Sequence, residues 1–497
     1  MKVQQFIEHH GIATNPFADE DAQTDLVFKG YCVKSIYHPS WDKIFGDPRE
    51  PATSIVLGEK GAGKTALGFQ IVRHLADYNM DHAGQRVFVV QYDDFNPFID
   101  RFRERFSGRR RKIERVLGEW RLWDHMDAIL SLATTQLVDR LLGNAQSRSP
   151  AAQDPGTIPV ESLDRSQARD ILLLAACYDQ STAQNRSQRW ERLRRKLRFP
   201  TWKSRCSLVL GVAVTLLILG FVVWQRKWEA LGTIWPYLAI AAGWLPRILQ
   251  CVRCWRIARR IRKNTRVLSH QPGLLHRLFM RFPHRQVAGQ PLPTQQSTDD
   301  RYALLDKLQM ALRTLGFSGM VVIIDRLDEP HLINGSTELI RGLLWPMLDN
   351  KFLKTPGLGL KILAPAELTQ FIDRESRDFY ERARLDKQNL IRSLEWTGQS
   401  LYDLADSRVQ ACAAPGASPT LSVIFDGSVE SHRLTEAFAL LRVPRHLAKF
   451  MYRLMTAHCH AYTEQAPVWK ISRTTLESVL AVYQRDQADA ARGIGAG

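Results

Sequence analysis

Residues 58–65 of this 497-residue chain have the types and spacing that phosphate chemistry requires. The segment is GEKGAGKT, which matches the pattern GxxxxGK[ST] at every position. Glycines at these positions let backbone N–H groups converge on phosphate oxygens, and a helix that begins there adds a favourable dipole. Lys64 would then reach the β- and γ-phosphates, and the Thr65 hydroxyl would bind Mg²⁺.

The residues on either side support a phosphate-binding loop. Residues 53–57 (TSIVL) predict a short buried strand, and residues 66–76 (ALGFQIVRHLA) predict an amphipathic helix. We therefore predict a site for ATP with Mg²⁺. The residues expected to bind this cofactor are Gly58, Glu59, Lys60, Gly61, Ala62, Gly63, Lys64, Thr65 and Ala66.

Residues 319–329 (GMVVIIDRLDE) place acids at the end of an apolar run. The four consecutive β-branched residues 321–324 predict a buried parallel strand. Asp325 follows at the carboxyl end of that strand, where open α/β sheets place ligands, so Asp325 and Thr65 are the expected metal ligands. Asp328 and Glu329 come within one turn, and either could orient the attacking water, with Glu329 preferred.

Lys64 and Asp325 lie 261 positions apart, which is more than one ordinary domain contains, so we expect an insertion between them. Residues 86–92 predict another strand, and residues 269–299, with six prolines or glycines, predict a linker. Helices are predicted at 120–142, 163–176 and 301–315. The expected fold class is α/β, with a parallel sheet flanked by helices.

Two uncharged apolar segments lie inside the insertion, at residues 207–224 and 230–246, and the second could extend to 250 past Arg247. Between residues 186 and 266, nineteen Lys and Arg face two Glu, a local net charge of +17 that equals that of the whole chain. Seventeen of these cations flank the segments and only two lie in the connecting residues. The pattern predicts a two-pass transmembrane hairpin in the cytoplasmic membrane, with both ends of the chain in the cytoplasm and residues 207–250 in the lipid bilayer.

A phosphate loop, an acidic strand and an apolar hairpin between them resemble the KAP family of P-loop NTPases, which belongs to the STAND/AAA+-like group. The resemblance implies a membrane-anchored ATPase that acts as a signalling or defence switch or as a remodelling enzyme. That family usually carries two successive acids after the strand, whereas here Arg326 follows Asp325. Asn15-Pro16-Phe17 is also similar to the segment that precedes the phosphate loop in AAA+-like ATPases.

The last third of the chain adds candidates for sensing the nucleotide. Residues 358–364 predict a strand that ends near Glu367. AAA+-like ATPases carry a sensor residue at this place, so the resemblance implies that role for Glu367. Arg384 is a candidate arginine finger. Pro444-Arg445 resembles the start of the lid helix in AAA+-like ATPases, which implies that Arg445 senses the γ-phosphate. Residues 434–455 and 474–484 are amphipathic and predict a helical lid or winged-helix-like domain.

The expected organisation is a phosphate-loop part (1–145), a helical insert with the hairpin (146–300), the remainder of the NTPase domain (301–412) and the lid (413–497). A homo-oligomer and an unidentified protein partner are expected. One alternative is an AAA+-like initiator-type ATPase that binds DNA through its C-terminal domain, and another is a nucleotide-binding scaffold without turnover. Nucleic-acid binding is not favoured, because charge outside 186–266 sums to zero, although residues 101–115 carry eight cations and two acids.

Overall fold

The computed structural model describes residues 1–30, 36–143, 159–182, 184–224, 233–383, 385 and 389–491. The strands in these residues are β1 (Ser54–Gly58), β2 (Arg86–Tyr92), β3 (Phe317–Ile324), β4 (Leu358–Pro365) and β5 (Asn389–Ile391). They form one sheet in the order β2-β3-β4-β1-β5, and every neighbouring pair is parallel. The predicted mixed α/β fold with a parallel sheet is therefore confirmed.

Helices surround the sheet and account for most of the remaining described residues. They are α1 (Val3–His9), α2 (Leu26–Gly30), α3 (Trp41–Phe45), α4 (Lys64–Asp81), α5 (Asn96–Arg103), α6 (Ile113–Gly118), α7 (Leu122–Leu142), α8 (Arg165–Tyr178), α9 (Arg186–Lys196), α10 (Cys206–Trp224), α11 (Trp235–Asn264), α12 (Pro272–Phe279), α13 (His284–Val287), α14 (Asp299–Thr314), α15 (Thr337–Leu344), α16 (Asn350–Leu353), α17 (Thr369–Arg374), α18 (Arg377–Ala383), α19 (Gly398–Ala411), α20 (Ser431–Ala439), α21 (Pro444–Ala461) and α22 (Arg473–Ala491).

The sheet is buried on both faces, which is why its strands are continuous apolar runs. Alternate side chains point to opposite faces. Val56, Val321 and Leu363 share a core with α4, whereas Ile55 and Val322 share the larger core with α7, α8 and α14. Because all strands are parallel, the ends of β1 and β3 lie at the same edge of the sheet, with the end of β4 between them.

The N-terminal residues pack with the C-terminal helices in a second core. Phe6, Ile7, Ile12 and Phe17 are buried there against residues of α19, α20, α21 and α22. The contact between α19 and α20 is so close that a Cβ atom on Gly398 would lie 2.1 Å from the Thr435 carbonyl oxygen. This second core covers the edge of the sheet where β1 and β3 end, because Arg445 of α21 contacts the loop after β1.

Buried ion pairs fasten the inserted helices to the sheet domain. Arg301 at the start of α14 is fully buried and donates two hydrogen bonds to Asp127 of α7, each 3.1 Å long. The Tyr178 hydroxyl of α8 donates to the same carboxylate at 2.8 Å. Arg301 also donates to the Asn264 carbonyl oxygen at the end of α11. One guanidinium group therefore joins α7, α11 and α14.

We expect Arg301→Met to lower the free energy of unfolding by about 3–5 kcal/mol, because it leaves the Asp127 carboxylate buried without its cation. The measurement is denaturant unfolding of the full chain. Arg377→Met is the matched control, because Arg377 pairs with Glu381 at a site where its side chain is 90% exposed. That control should unfold like the wild type. Equal stability of the two variants would contradict the assigned role of Arg301.

The prediction of a two-pass membrane protein is wrong. Among the described residues, only Cys206–Trp224 is long and apolar enough to cross a membrane. Helix α11 does not qualify, because Arg247 and Gln250 interrupt its apolar half and cations dominate the rest. The two helices do pack antiparallel, with Ser207 bonded to Gln250 at 3.0 Å and Trp244 bonded to Thr215 at 3.1 Å. The predicted connection at 225–229 lies outside the described residues.

The segment predicted as a linker, residues 269–299, contains α12 and α13 instead. Leu275, Leu278, Phe279 and Phe282 are buried in the large core. Pro272 lies in the first turn of α12, where its missing N–H costs no hydrogen bond. The prolines therefore mark where short helices begin, and the segment belongs to the packed body.

Candidate functional site

The glycine-rich loop joins β1 directly to α4, as the sequence predicts. Gly61 and Gly63 have φ values of 90° and 93°, in the left-handed region that glycine adopts without strain. Helix α4 begins at Lys64, and Gly63 is its N-cap without a capping side chain. The backbone N–H groups of the first turn of α4 are therefore not occupied by a capping side chain, and residues 63–66 line a cleft.

Lys64 folds back over this loop. Its Nζ donates to the carbonyl oxygens of Gly58 at 2.8 Å and Glu59 at 3.0 Å. Burial lowers the pKa of Lys64, while Asp328, Asp325 and the exposed Glu367 oppose that shift. The carboxylates after β3 thus act electrostatically on the lysine of the loop after β1.

Asp325 and Thr65 line the same cleft, although 260 positions separate them in the chain. Hydrogen bonding with the Thr65 hydroxyl and the Arg326 backbone N–H lowers the pKa of Asp325. Asp325 is only 6% exposed, and burial raises its pKa against these hydrogen bonds. A hydroxyl and a carboxylate side by side are oxygen ligands of the kind that Mg²⁺ prefers. The two residues predicted to bind the metal therefore fit that ion.

The turn after Asp325 presents the other predicted acids. Arg326 has a φ of 58°, an uncommon conformation for a residue other than glycine, and Leu327 is fully buried. Asp328 is the acid with the largest electrostatic effect on Lys64. Glu329 is exposed and lies 3.9 Å from the Arg326 guanidinium group. Asp328 and Glu329 both line the cleft that contains Lys64.

Arg445 and Trp396 bind the loop from the C-terminal part of the chain. The Arg445 backbone N–H donates to the Gly61 carbonyl oxygen at 3.3 Å, and a Cβ on Gly61 would lie 2.6 Å from the Cβ of Arg445. The Trp396 indole N–H donates to the Ala62 carbonyl oxygen at 2.9 Å. These bonds fix the loop to two residues that also line the cleft.

The cleft has a second wall that the sequence only hinted at. Residues 17–28 form part of it, and Leu404 and Arg408 of α19 and Leu447 and Ala448 of α21 form another part. Arg408 fixes the N-terminal segment, because its Nε donates to the Pro16 carbonyl oxygen at 2.7 Å. The Asn15-Pro16-Phe17 motif was the sequence feature that indicated this wall of the cleft, whereas nothing in the sequence indicated Trp396 or Arg408. Arg384 lies outside the described residues.

Within the described residues, three arginines that line this cleft each have a buried nitrogen without a hydrogen-bond partner. These atoms are Arg326 Nε, Arg408 Nη2 and Arg445 Nε. A buried donor without an acceptor costs about 1–3 kcal/mol. Guanidinium nitrogens of this kind suit a ligand that carries several acceptor atoms, as phosphates and nucleobases do.

No family model, curated protein or solved structure matches this chain. The KAP resemblance accordingly remains a prediction from the sequence.

Proposed function

We propose that this chain is a Mg²⁺-dependent ATPase with the active site in the cleft between the sheet edge and the C-terminal helices. The observation that carries the proposal is the single cleft that Lys64, Thr65 and Asp325 line together. Two segments 260 positions apart supply a hydroxyl, a carboxylate and an ammonium group to one place. Kinship with KAP-type signalling, defence or remodelling ATPases is part of this proposal.

In this proposal, the loop N–H groups and Lys64 bind the phosphate chain and compensate its negative charge. Thr65 and Asp325 would hold Mg²⁺, which supplies further stabilisation of charge on the phosphate oxygens when bound. Asp328, which lines the cleft together with Lys64, would orient the attacking water and accept its proton. Arg445 belongs to the first turn of α21 and contacts the loop, so phosphate binding would be transmitted through it to the C-terminal helices.

The test is ATP binding and phosphate release by the purified full chain, with Mg²⁺ and with EDTA. We expect ATP to bind, and we expect release of phosphate only with Mg²⁺. Absence of ATP binding at millimolar concentration would overturn the proposal. Binding without any Mg²⁺-dependent turnover would instead support the nucleotide-binding scaffold.

A separate observation concerns the surface of α10. Many of its large apolar side chains are exposed, among them Leu216 at 64% and Leu217 at 72%. Exposed apolar patches of this size mark interaction sites. We propose that α10 contacts lipid, and the proposal involves no second membrane-crossing segment.

We expect the combined variant Leu216→Ser, Leu217→Ser and Phe221→Ser to reduce flotation of the full chain with phosphatidylcholine vesicles by about tenfold. Each substitution removes apolar surface that is exposed on α10. The matched control is Met80→Ser, Val423→Ser and Leu440→Ser, which removes exposed apolar side chains on other elements. The control should float like the wild type. Equal flotation of both variants would rule out a lipid contact specific to α10.

A further inference from the structure

Arg408 is the arginine of the cleft whose partners are most completely defined. It lies in α19, is 8% exposed, and donates from Nε to the Pro16 carbonyl oxygen at 2.7 Å. Its Nη1 lies 2.6 Å from the Asp25 carboxylate. Its Nη2 is buried, and no described residue accepts a hydrogen bond from it. Two of its three nitrogens therefore position the side chain, and the third retains its capacity to donate.

The neighbours of Arg408 differ from those of the other two arginines. Arg326 and Arg445 belong to segments that contact Asp325 and the glycine-rich loop, where phosphates are expected. Arg408 lies beside residues 17–28, at the part of the cleft lined by Phe17, Phe28, Leu404 and Leu447. Apolar side chains of this kind suit a flat aromatic ring, whereas a ribose presents hydroxyl groups on most of its edges.

We propose that Arg408 Nη2 donates a hydrogen bond to a ring nitrogen of the adenine base of bound ATP. This inference rests on the proposed ATPase function and assigns the base-recognising residue of the same cleft. A ring nitrogen of adenine has an unprotonated lone pair, so it is an acceptor that a guanidinium N–H satisfies without moving a proton. Pairing the buried donor removes the cost of leaving it unsatisfied, so the bond contributes both affinity and selectivity.

The experiment compares ATP with its 1-deaza, 3-deaza and 7-deaza analogues, each of which replaces one ring nitrogen by C–H. We expect one analogue to bind the wild type about tenfold more weakly than ATP, which is the effect of a single charge-assisted hydrogen bond. Arg408→Met should bind ATP and that analogue equally, because the donor is absent. Tripolyphosphate, which has no base, should bind Arg408→Met and the wild type equally.

Arg453→Met is the matched control, because it removes an arginine of α21 that pairs with Asp486 and does not line the cleft. It should retain the discrimination between ATP and the analogue. If Arg408→Met binds tripolyphosphate as much more weakly than the wild type as it binds ATP, the role of Arg408 is structural and the inference is wrong. Wild-type protein that binds ATP and all three analogues equally also overturns it, and weaker binding of 2′-deoxy-ATP would then assign the donor to the ribose. Failure of wild-type protein to bind either ATP or tripolyphosphate would overturn the ATPase proposal instead.

Discussion

Lys64→Met is expected to lower ATP turnover by about 100-fold or more, because it removes the cation that stabilises charge on the transferred phosphoryl group. In the structure Nζ already lies at the loop, where it bonds to the Gly58 and Glu59 carbonyl oxygens. Burial lowers the pKa of Lys64, and the nearby acids Asp328 and Asp325 oppose that shift. The measurement is phosphate release at saturating ATP and Mg²⁺.

The control for this variant is Lys43→Met, which removes an exposed lysine of α3 outside the cleft. It should retain wild-type turnover. A thermal melt of both proteins separates loss of catalysis from loss of folding, because Lys64 contributes two hydrogen bonds to the loop. Wild-type turnover by Lys64→Met would show that the glycine-rich loop does not carry the reaction.

The glycine-rich loop and the acidic strand end were predictable because each is indicated by a pattern of neighbouring residues. A strand, a glycine-rich loop and a helix N-terminus follow one another within about twenty residues, so residues 53–76 predict β1, the loop and α4 together. The β-branched run 321–324 predicts β3 in the same way, and the acid at its end follows from the geometry of parallel sheets. The presence of Thr65 and Asp325 in one cleft is then a consequence of the shared sheet edge.

The second wall of the cleft was less predictable because its residues are joined only in three dimensions. Arg408 bonds to Pro16 across 392 positions, and Trp396 bonds to Ala62 across 334. Neither arginine nor tryptophan forms a spacing pattern there, and each makes its contact through a backbone carbonyl that any sequence could supply. Arg445 was found only through a resemblance, since its spacing by itself indicates no more than the start of a helix.

The membrane prediction failed because apolar composition does not define a span. Pro236 lies in the first turn of α11, and the helix continues through Pro246 to Asn264. The apolar residues of α11 thus form half of a longer helix whose other half is cationic. Arg105 and Arg301, both distant in sequence, fix the end of that helix to the body.

Asp328→Asn is expected to lower ATP turnover by about 100-fold or more while ATP binding is retained, because the variant keeps the side-chain size but loses the general base. The sequence favoured Glu329 for this role, whereas we propose Asp328. Asp328 is half-buried and lines the cleft with Lys64, whereas Glu329 is exposed and lies near Arg326.

Glu329→Gln is the matched variant, since it makes the same change from acid to amide one position away. Burial raises the pKa of Glu329, and Arg326 opposes that shift, so this acid is already balanced by a neighbouring cation. We expect Glu329→Gln to lower turnover by less than about tenfold, with unchanged ATP affinity. If Glu329→Gln lowers turnover more than Asp328→Asn does, Glu329 orients the attacking water instead. The Arg326–Glu329 contact would then have to break when ATP binds. Equal and large losses in both would indicate that the two acids act as one unit.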